Sequence, residues 1–271
     1  MYSGTTFHTK SGRIMGVHQK IDRIARRHLR PHIARGSFFP LIRDILHFEG
    51  ANGPDGIKRK SPGKDEPWHY VNPNDPSDTA LVDMILDHIH NLAAALKEGN
   101  RERAAFESAW LAHAITDGLT PAHHYPLEDK LVELRGGQGI ETRTTKRKKI
   151  VMPGKTTGER MKNNWEYWGA KGVMTTHLNF ELGVASALAT MKFDTFSMSK
   201  ELKTKLIKSD FKTLFYDALS EVDGMKMYEE FTKKGWTRNL AKETKNVLVP
   251  TIIRTVMLGW LSAIWESEKN T

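Results

Sequence analysis

"AHAITDGLTPAHHYP", residues 112–126, gathers His113, Asp117, His123 and His124 at the end of one amphipathic run and in the turn after it. Upstream, Asn100 is a ready N-cap for a helix running to Asp117, and Gly118 and Pro121 stop it. Phe106, Trp110, His113 and Asp117 are spaced 4, 3 and 4, which puts them on one helical face. His113 and Asp117 therefore stand one turn apart beside two large aromatic rings. Even a neutral polar group buried without a partner costs roughly 2–7 kcal/mol, and an ionised carboxylate costs more. A cation held between the two side chains removes that cost. The pair alone leaves exposure to water, or a hydrogen bond in the core, equally open.

Helical periodicity continues outward in both directions, and no run of alternating strand pattern interrupts it. Ile14, Val17, Ile21 and Ile24 share a face of a first helix, ended near Pro31, and "PLIRDILHF" offers a short second one. Residues 50–76, with Gly and Pro at short intervals, read as a long ordered loop. Ser77 or Asp78 is the expected cap of the next helix, whose Leu81, Ile85, Leu92 and Leu96 point inward before Gly99 ends it. The stretch 135–160, "RGGQGIETRTTKRKKIVMPGKTTGER", is polar, basic and Gly-rich, and reads as a mobile insertion or lid. Further helices are expected near Trp165 and over 174–191, 199–219, 221–234 and 238–267, the last bent at Pro250. The expectation is one all-α domain over 1–271 with a basic, flexible insertion at about 135–160.

The 271 residues suffice for a core without staples, and the absence of Cys excludes disulfides and thiolate zinc sites. Any metal must be held by His, Asp, Glu, backbone or water. The net charge of +9, from 41 Lys+Arg against 32 Asp+Glu, leans toward anionic partners. "VLVPTIIRTVMLGWLSAIW", 247–265, has the length of a membrane span, but Pro250 and Arg254 interrupt it, so a buried helix is expected. The N-terminal "MYSGTTFHTKSGR" has no apolar h-region. The chain as it stands therefore reads as cytoplasmic, and as extracellular if a leader precedes it.

Further metal-capable side chains lie elsewhere. His177 and Glu181 in "THLNFELG" repeat the i, i+4 pairing. His69 follows Trp68 in a loop that holds Asp55 fourteen residues earlier, and His18 lies on the inward side of the first helix. Taken singly, His69 reads as solvated and His18 as a satisfied core residue. Taken together and in order, they make a chain that resembles the zinc-dependent phospholipase C family, itself similar to the fungal single-strand-specific zinc nucleases. The resemblance is carried by an early helical His and an Asp with a His fourteen later. It continues with His-x3-Asp-x5-His, a Pro just before the last His, and then His-x3-Glu. It spans about residues 8–185, and the C-terminal helix with Trp260 and Trp265 resembles that family's closing helix.

The resemblance implies an all-helical fold and a cluster of two or three zinc ions. Asp55, His69, His113 and Asp117 would hold one. His123, His177 and Glu181 would hold a second. His18 would hold a third, with Asp117 bridging. In the family the amino and carbonyl groups of the first residue of the processed chain complete that third site; here His8 is the candidate substitute, since imidazole is a normal zinc donor. The spacing selects His123 over His124, which is left to contact substrate or water. The implied activity is phosphodiester or phosphomonoester hydrolysis by metal-activated water, with Asp55 as ligand and as the catalytic group that orients or deprotonates that water. Asp55 suits this as a loop carboxylate free to shift.

The preferred substrate is a phospholipid, with peripheral membrane contact. A single-stranded nucleic acid or nucleotide is the second reading, and a non-catalytic, metal-braced binding protein the third. "KRKK" at 146–149 reads either as a phosphate or RNA grip or as a solvated tract. Asp83, Asp87 and His90 read as exposed or as supports for ligands. Trp165, Tyr167 and Trp168 either line a pocket or pack in the core. "GKTTG" at 154–158 lacks the Gly and the preceding strand of a phosphate-binding loop.

Overall fold

The computed structural model describes residues 1, 16–63, 66–189, 191 and 209–269. His8 and Ile14, and the part of the expected 199–219 helix before residue 209, lie outside them. Among the described residues the chain is all-α, with no strand.

The centre is α5 (Arg101–Gly118), which Asn100 caps by accepting from the Arg103 amide at 3.1 Å. It pairs with α4 (Ala80–Lys97) through a tight turn at Gly99, whose φ of +67° suits glycine. Small residues along α5 (Ala104, Ala105, Ala109, Ala112, Ala114) are buried on nearly every side, which lets its neighbours approach closely. Those neighbours include α1 (Val17–Leu29), α4 and the C-terminal α13 (Val249–Lys269).

Among the described residues, the one helix long and apolar enough to cross a membrane is Arg238–Lys269. Here it is a core element, as expected: Ile252, Val256, Trp260 and Leu261 are fully buried, and Trp260 Nε1 donates to the Ser108 carbonyl at 2.9 Å. Each such large side chain contributes about 1.5–3 kcal/mol by leaving water. The helix is α12 (Arg238–Glu243), a π turn (Thr244–Leu248) and then α13. Pro250 sits just past the π turn. It has no N–H for the carbonyl one turn back, and the ladder widens there.

Several boundaries differ from expectation. Residues 50–76 are not all loop: Pro54 at the first helical position starts α3 (Pro54–Lys60), so Asp55 is a helical carboxylate and not a loop one. Gly56 lets α3 pack down, since a Cβ there would overlap the Ala51 carbonyl. The residue before α4 is Thr79, whose hydroxyl bonds Asp83 at 2.7 Å, while Asp78 accepts from the Asn72 amide at 2.8 Å. The expected break near 220 falls later, between α10 (Phe211–Gly224) and α11 (Met227–Lys234), where Lys226 takes a left-handed φ of 51°.

The basic stretch 135–160 carries more structure than its composition suggested. After α6 (Leu127–Leu134) come a short 3-10 turn at Ile140–Thr142 and α7 (Lys146–Ile150). Arg143 pairs with Glu128, Lys149 pairs with Glu66 and reaches the Lys58 carbonyl, and the Gly63 amide bonds the Arg143 carbonyl at 2.8 Å. The segment then enters α8 (Thr157–Trp168), which precedes α9 (Val173–Ala189).

Candidate metal centre

Each ligand candidate sits where its local structure holds it stiff. His18 is on the first turn of α1, Asp55 on the first turn of α3, and His113 and Asp117 on the last turns of α5. His123 ends a 3-10 turn at Pro121–His123, and His177 and Glu181 lie one turn apart on α9. His69 is on the connection before α4, and its carbonyl accepts from His123 Nδ1 at 2.7 Å. That bond uses the Nδ1 proton and turns the lone pair of His123 Nε2 toward Glu181 and the cluster.

The structure brings these eight residues into one cluster. Three sets each present donor atoms within 4.8 Å of one another: His18, His113 and Asp117; Asp55, His69 and His113; and His123, His177 and Glu181. Asp117 is central. One oxygen lies 2.7 Å from His69 Nδ1 and 3.2 Å from His113 Nε2, the other 3.3 Å from His18 Nε2 and 3.9 Å from His123 Nε2. Glu181 Oε1 is 3.1 Å from both His123 Nε2 and His177 Nε2.

Met1 stands where the resemblance puts the first residue of the family's chain, at the third set, while His8 lies outside the described residues. Its carbonyl oxygen is 2.8 Å from His18 Nε2, and its amino group contacts Asp117 and lies 3.4 Å from Glu181. No periodicity or local spacing joins residues 1 and 117; only the resemblance pointed to a chain-start residue here.

The electrostatics suit cations. Burial alone would raise the carboxyl of Asp117, but the Met1 amine, His123 and His113 hold it well below its ordinary value. Glu181 is likewise depressed against burial by the Met1 amine and His177. For Asp55, burial is outweighed by His113, with further help from His18 and His69, and its carboxyl falls to about 2. Burial pushes His69 down to about 3 and His123 to about 4, so both are neutral near pH 7, the form that binds metal. His113 runs the other way: Glu49 and then Asp117 overcome burial and raise it well above 6.5.

His18 Nδ1, His69 Nε2 and His113 Nε2 are buried without a hydrogen-bond partner. Native interiors rarely leave such atoms unpaired unless an ion or water meets them. Imidazole and carboxylate donors without thiolate suit a borderline or hard divalent cation. These buried groups can hold metal.

Two other residues complete the surroundings, neither of them singled out by the sequence. Glu49, fully buried, accepts from His113 Nδ1 at 3.2 Å, the bond that orients a metal-binding imidazole. Lys58, one turn after Asp55, lies 5.6 Å from the centre of the Tyr70 ring. Burial alone would lower its ammonium, but Tyr70 and Asp55 reverse that and hold it above the ordinary lysine value. Lys58 lines a cavity of about 60 Å³ with His69, Tyr70, Leu131, Tyr167 and Met174.

His124 is not aimed at the cluster: its Nε2 bonds the Gly118 carbonyl at 2.9 Å and ties the turn to α5. Asp83, Asp87 and His90 are exposed, and His90 pairs with Glu266 at 2.7 Å. Tyr167 is buried against the cavity, whereas Trp165 and Trp168 are exposed and do neither of the things expected of them. No family model matches the chain, and no curated protein or solved structure matches it either.

Proposed function

We propose that this protein is a zinc-dependent hydrolase of phosphate esters, cleaving a phosphodiester of the phospholipid type in the manner of a phospholipase C. The observation that carries the reading is the convergence of eight imidazoles and carboxylates from separate segments on one buried cluster that shares Asp117 and His113. Structural metal sites are closed, whereas catalytic ones keep a position open. Asp55 marks the open side, with its side chain 23% exposed against 1% for Asp117 and 10% for Glu181.

Zinc held by such donors supplies hydroxide near neutral pH and offsets charge on a phosphoryl group. The chain's own groups do the rest. With its carboxyl near 2, Asp55 stays ionised and is a weak base. Its part is to accept a hydrogen bond and orient the attacking water, rather than to remove its proton. Lys58, cationic and turned to the cavity beside His69, is placed to meet a non-bridging phosphoryl oxygen. Leu127, Leu131, Ile140 and Met174 form the apolar wall of that cavity, whose volume of about 60 Å³ takes only a small part of a phospholipid ester.

A second reading, cleavage of single-stranded nucleic acid, draws support from Trp68, Tyr70 and Tyr167, aromatic residues in the same cavity. The deciding experiment is elemental analysis of protein purified without chelator, followed by assays on a chromogenic phosphodiester, phosphatidylcholine and single-stranded DNA. Two or three zinc ions per chain and phosphatidylcholine cleavage are expected. Cleavage of DNA alone would select the second reading. Bound zinc with no turnover on any substrate would leave only a metal-braced binding protein.

A further inference from the structure

Eight large apolar side chains are exposed among the described residues, and five of them, Ile150, Val151, Met161, Trp165 and Trp168, come from one short stretch. Met161, Trp165 and Trp168 follow i, i+4, i+7 spacing, so they form one face of α8. Met161 is 68% and Trp165 72% exposed, and on a folded surface that is unusual for residues of this size.

The face is wider than one helix. Trp168 Nε1 donates to the Ile150 carbonyl at 2.8 Å, Asn164 bonds both the amide (3.0 Å) and the carbonyl (2.8 Å) of Met152, and Asn163 reaches the Pro153 carbonyl at 2.8 Å. Met152 is buried with Leu127, Leu131, Leu134 and Tyr167, which pins the strip and leaves Ile150 and Val151 outside. Between residues 144 and 171 the chain carries eight Lys and Arg against two Glu, which is most of the molecule's excess positive charge.

We propose that the exposed α8 face, with Ile150 and Val151, docks the protein on an anionic lipid surface. Tryptophan and aliphatic side chains seat in the headgroup boundary, while Lys146, Arg147, Lys148 and Lys162 meet the lipid phosphates and carboxylates. Charge complementarity selects this occupant. Apolar residues inside a basic surround match acyl chains beneath anionic headgroups. Ile150, Val151 and Met161 add aliphatic area, which base stacking does not use. The inference rests on this surface alone and holds whichever ester the metal centre cleaves. Tyr167, on the other side of the same helix, lines the cavity beside His69, so docking here sets that cavity one helix away from the bilayer.

The test is co-sedimentation with phosphatidylcholine vesicles, with and without phosphatidylserine, at low and high salt. Brominated acyl chains report insertion by quenching tryptophan fluorescence. Binding is the readout, so absence of phosphatidylcholine cleavage would not count against it. The full chain should bind the phosphatidylserine vesicles and release them in high salt. Trp165→Ala with Trp168→Ala should weaken binding at least tenfold, with the circular dichroism and metal content unchanged. Lys146→Gln and Lys148→Gln should each weaken it about fivefold. The proposal is overturned if the unaltered chain ignores anionic vesicles or if neither set of substitutions matters. It is equally overturned if these residues retain single-stranded oligonucleotide in place of vesicles.

Discussion

The imidazoles of His18 and His113 stack face to face, with ring centroids 4.0 Å apart and planes inclined by 8°. Glu49 holds His113 from behind through Nδ1, and this leaves His113 Nε2 facing Asp117, Asp55 and the centre of the cluster. The stack joins the set containing Asp55 and His69 to the set containing His18.

That arrangement gives Glu49 a measurable role. Glu49→Gln should lower metal affinity 10–100-fold by loosening and discharging the group behind His113. Competition with a chromophoric chelator measures it. Activity should return in excess zinc, an outcome that a general loss of folding would not allow.

Asp55 is separable from metal retention because its neighbours His69 and His113 remain. Asp55→Asn should reduce turnover of a chromogenic phosphodiester on the order of 10²-fold, the cost of a misplaced nucleophile. Zinc content, measured by elemental analysis, should fall by at most one equivalent. Activity close to that of the unaltered chain would remove Asp55 from the mechanism.

Glu181 closes the set formed with His123 and His177. Glu181→Gln replaces an ionised donor by a neutral amide, and the zinc stoichiometry should drop by about one equivalent. An unchanged ratio would mean that Glu181 is not a ligand.

Metal-free protein should lose stability as pH falls from about 6.5 toward 4. His69, His123 and His124 have depressed pKa values in the fold, chiefly through burial, so below 6.5 the unfolded chain binds more protons. Asp22 opposes this. Burial and then Glu49 raise its carboxyl, so the folded state binds the extra proton there. Three depressed imidazoles against one raised carboxyl leave the net slope positive. Above 6.5 the sign reverses, because His113 is raised by Glu49 and Asp117 despite burial, and its contribution is lost as it deprotonates. Denaturant melts of chelated protein across pH 4–9 should therefore show greatest stability near 6–7, whereas zinc should extend the stable range upward.

The resemblance in ligand order assembled the eight candidates on described residues that converge, while the sequence by itself determined the all-α class, the helix through His113 and Asp117, the buried C-terminal helix and the i, i+4 pairs His113/Asp117 and His177/Glu181. These are local properties: a period of 3.6, an N-cap, a helix-stopping Gly or Pro, and i, i+4 pairs that share a face whatever packs around them. The tertiary structure decided what depends on distant approach. Met1 meets Asp117, Glu49 backs His113, Lys58 faces Tyr70, and His124 turns away from the cluster to the Gly118 carbonyl. It also placed Asp55 on a helix, because Pro54 and Gly56 let a Gly-rich stretch coil and pack against Ala51. Trp165 and Trp168 went to the surface because the Asn163 and Asn164 amides fasten the neighbouring strip and α8 presents Tyr167 inward. Spacing along a helix is written in adjacent residues, but which helices meet is set by the burial of the whole chain.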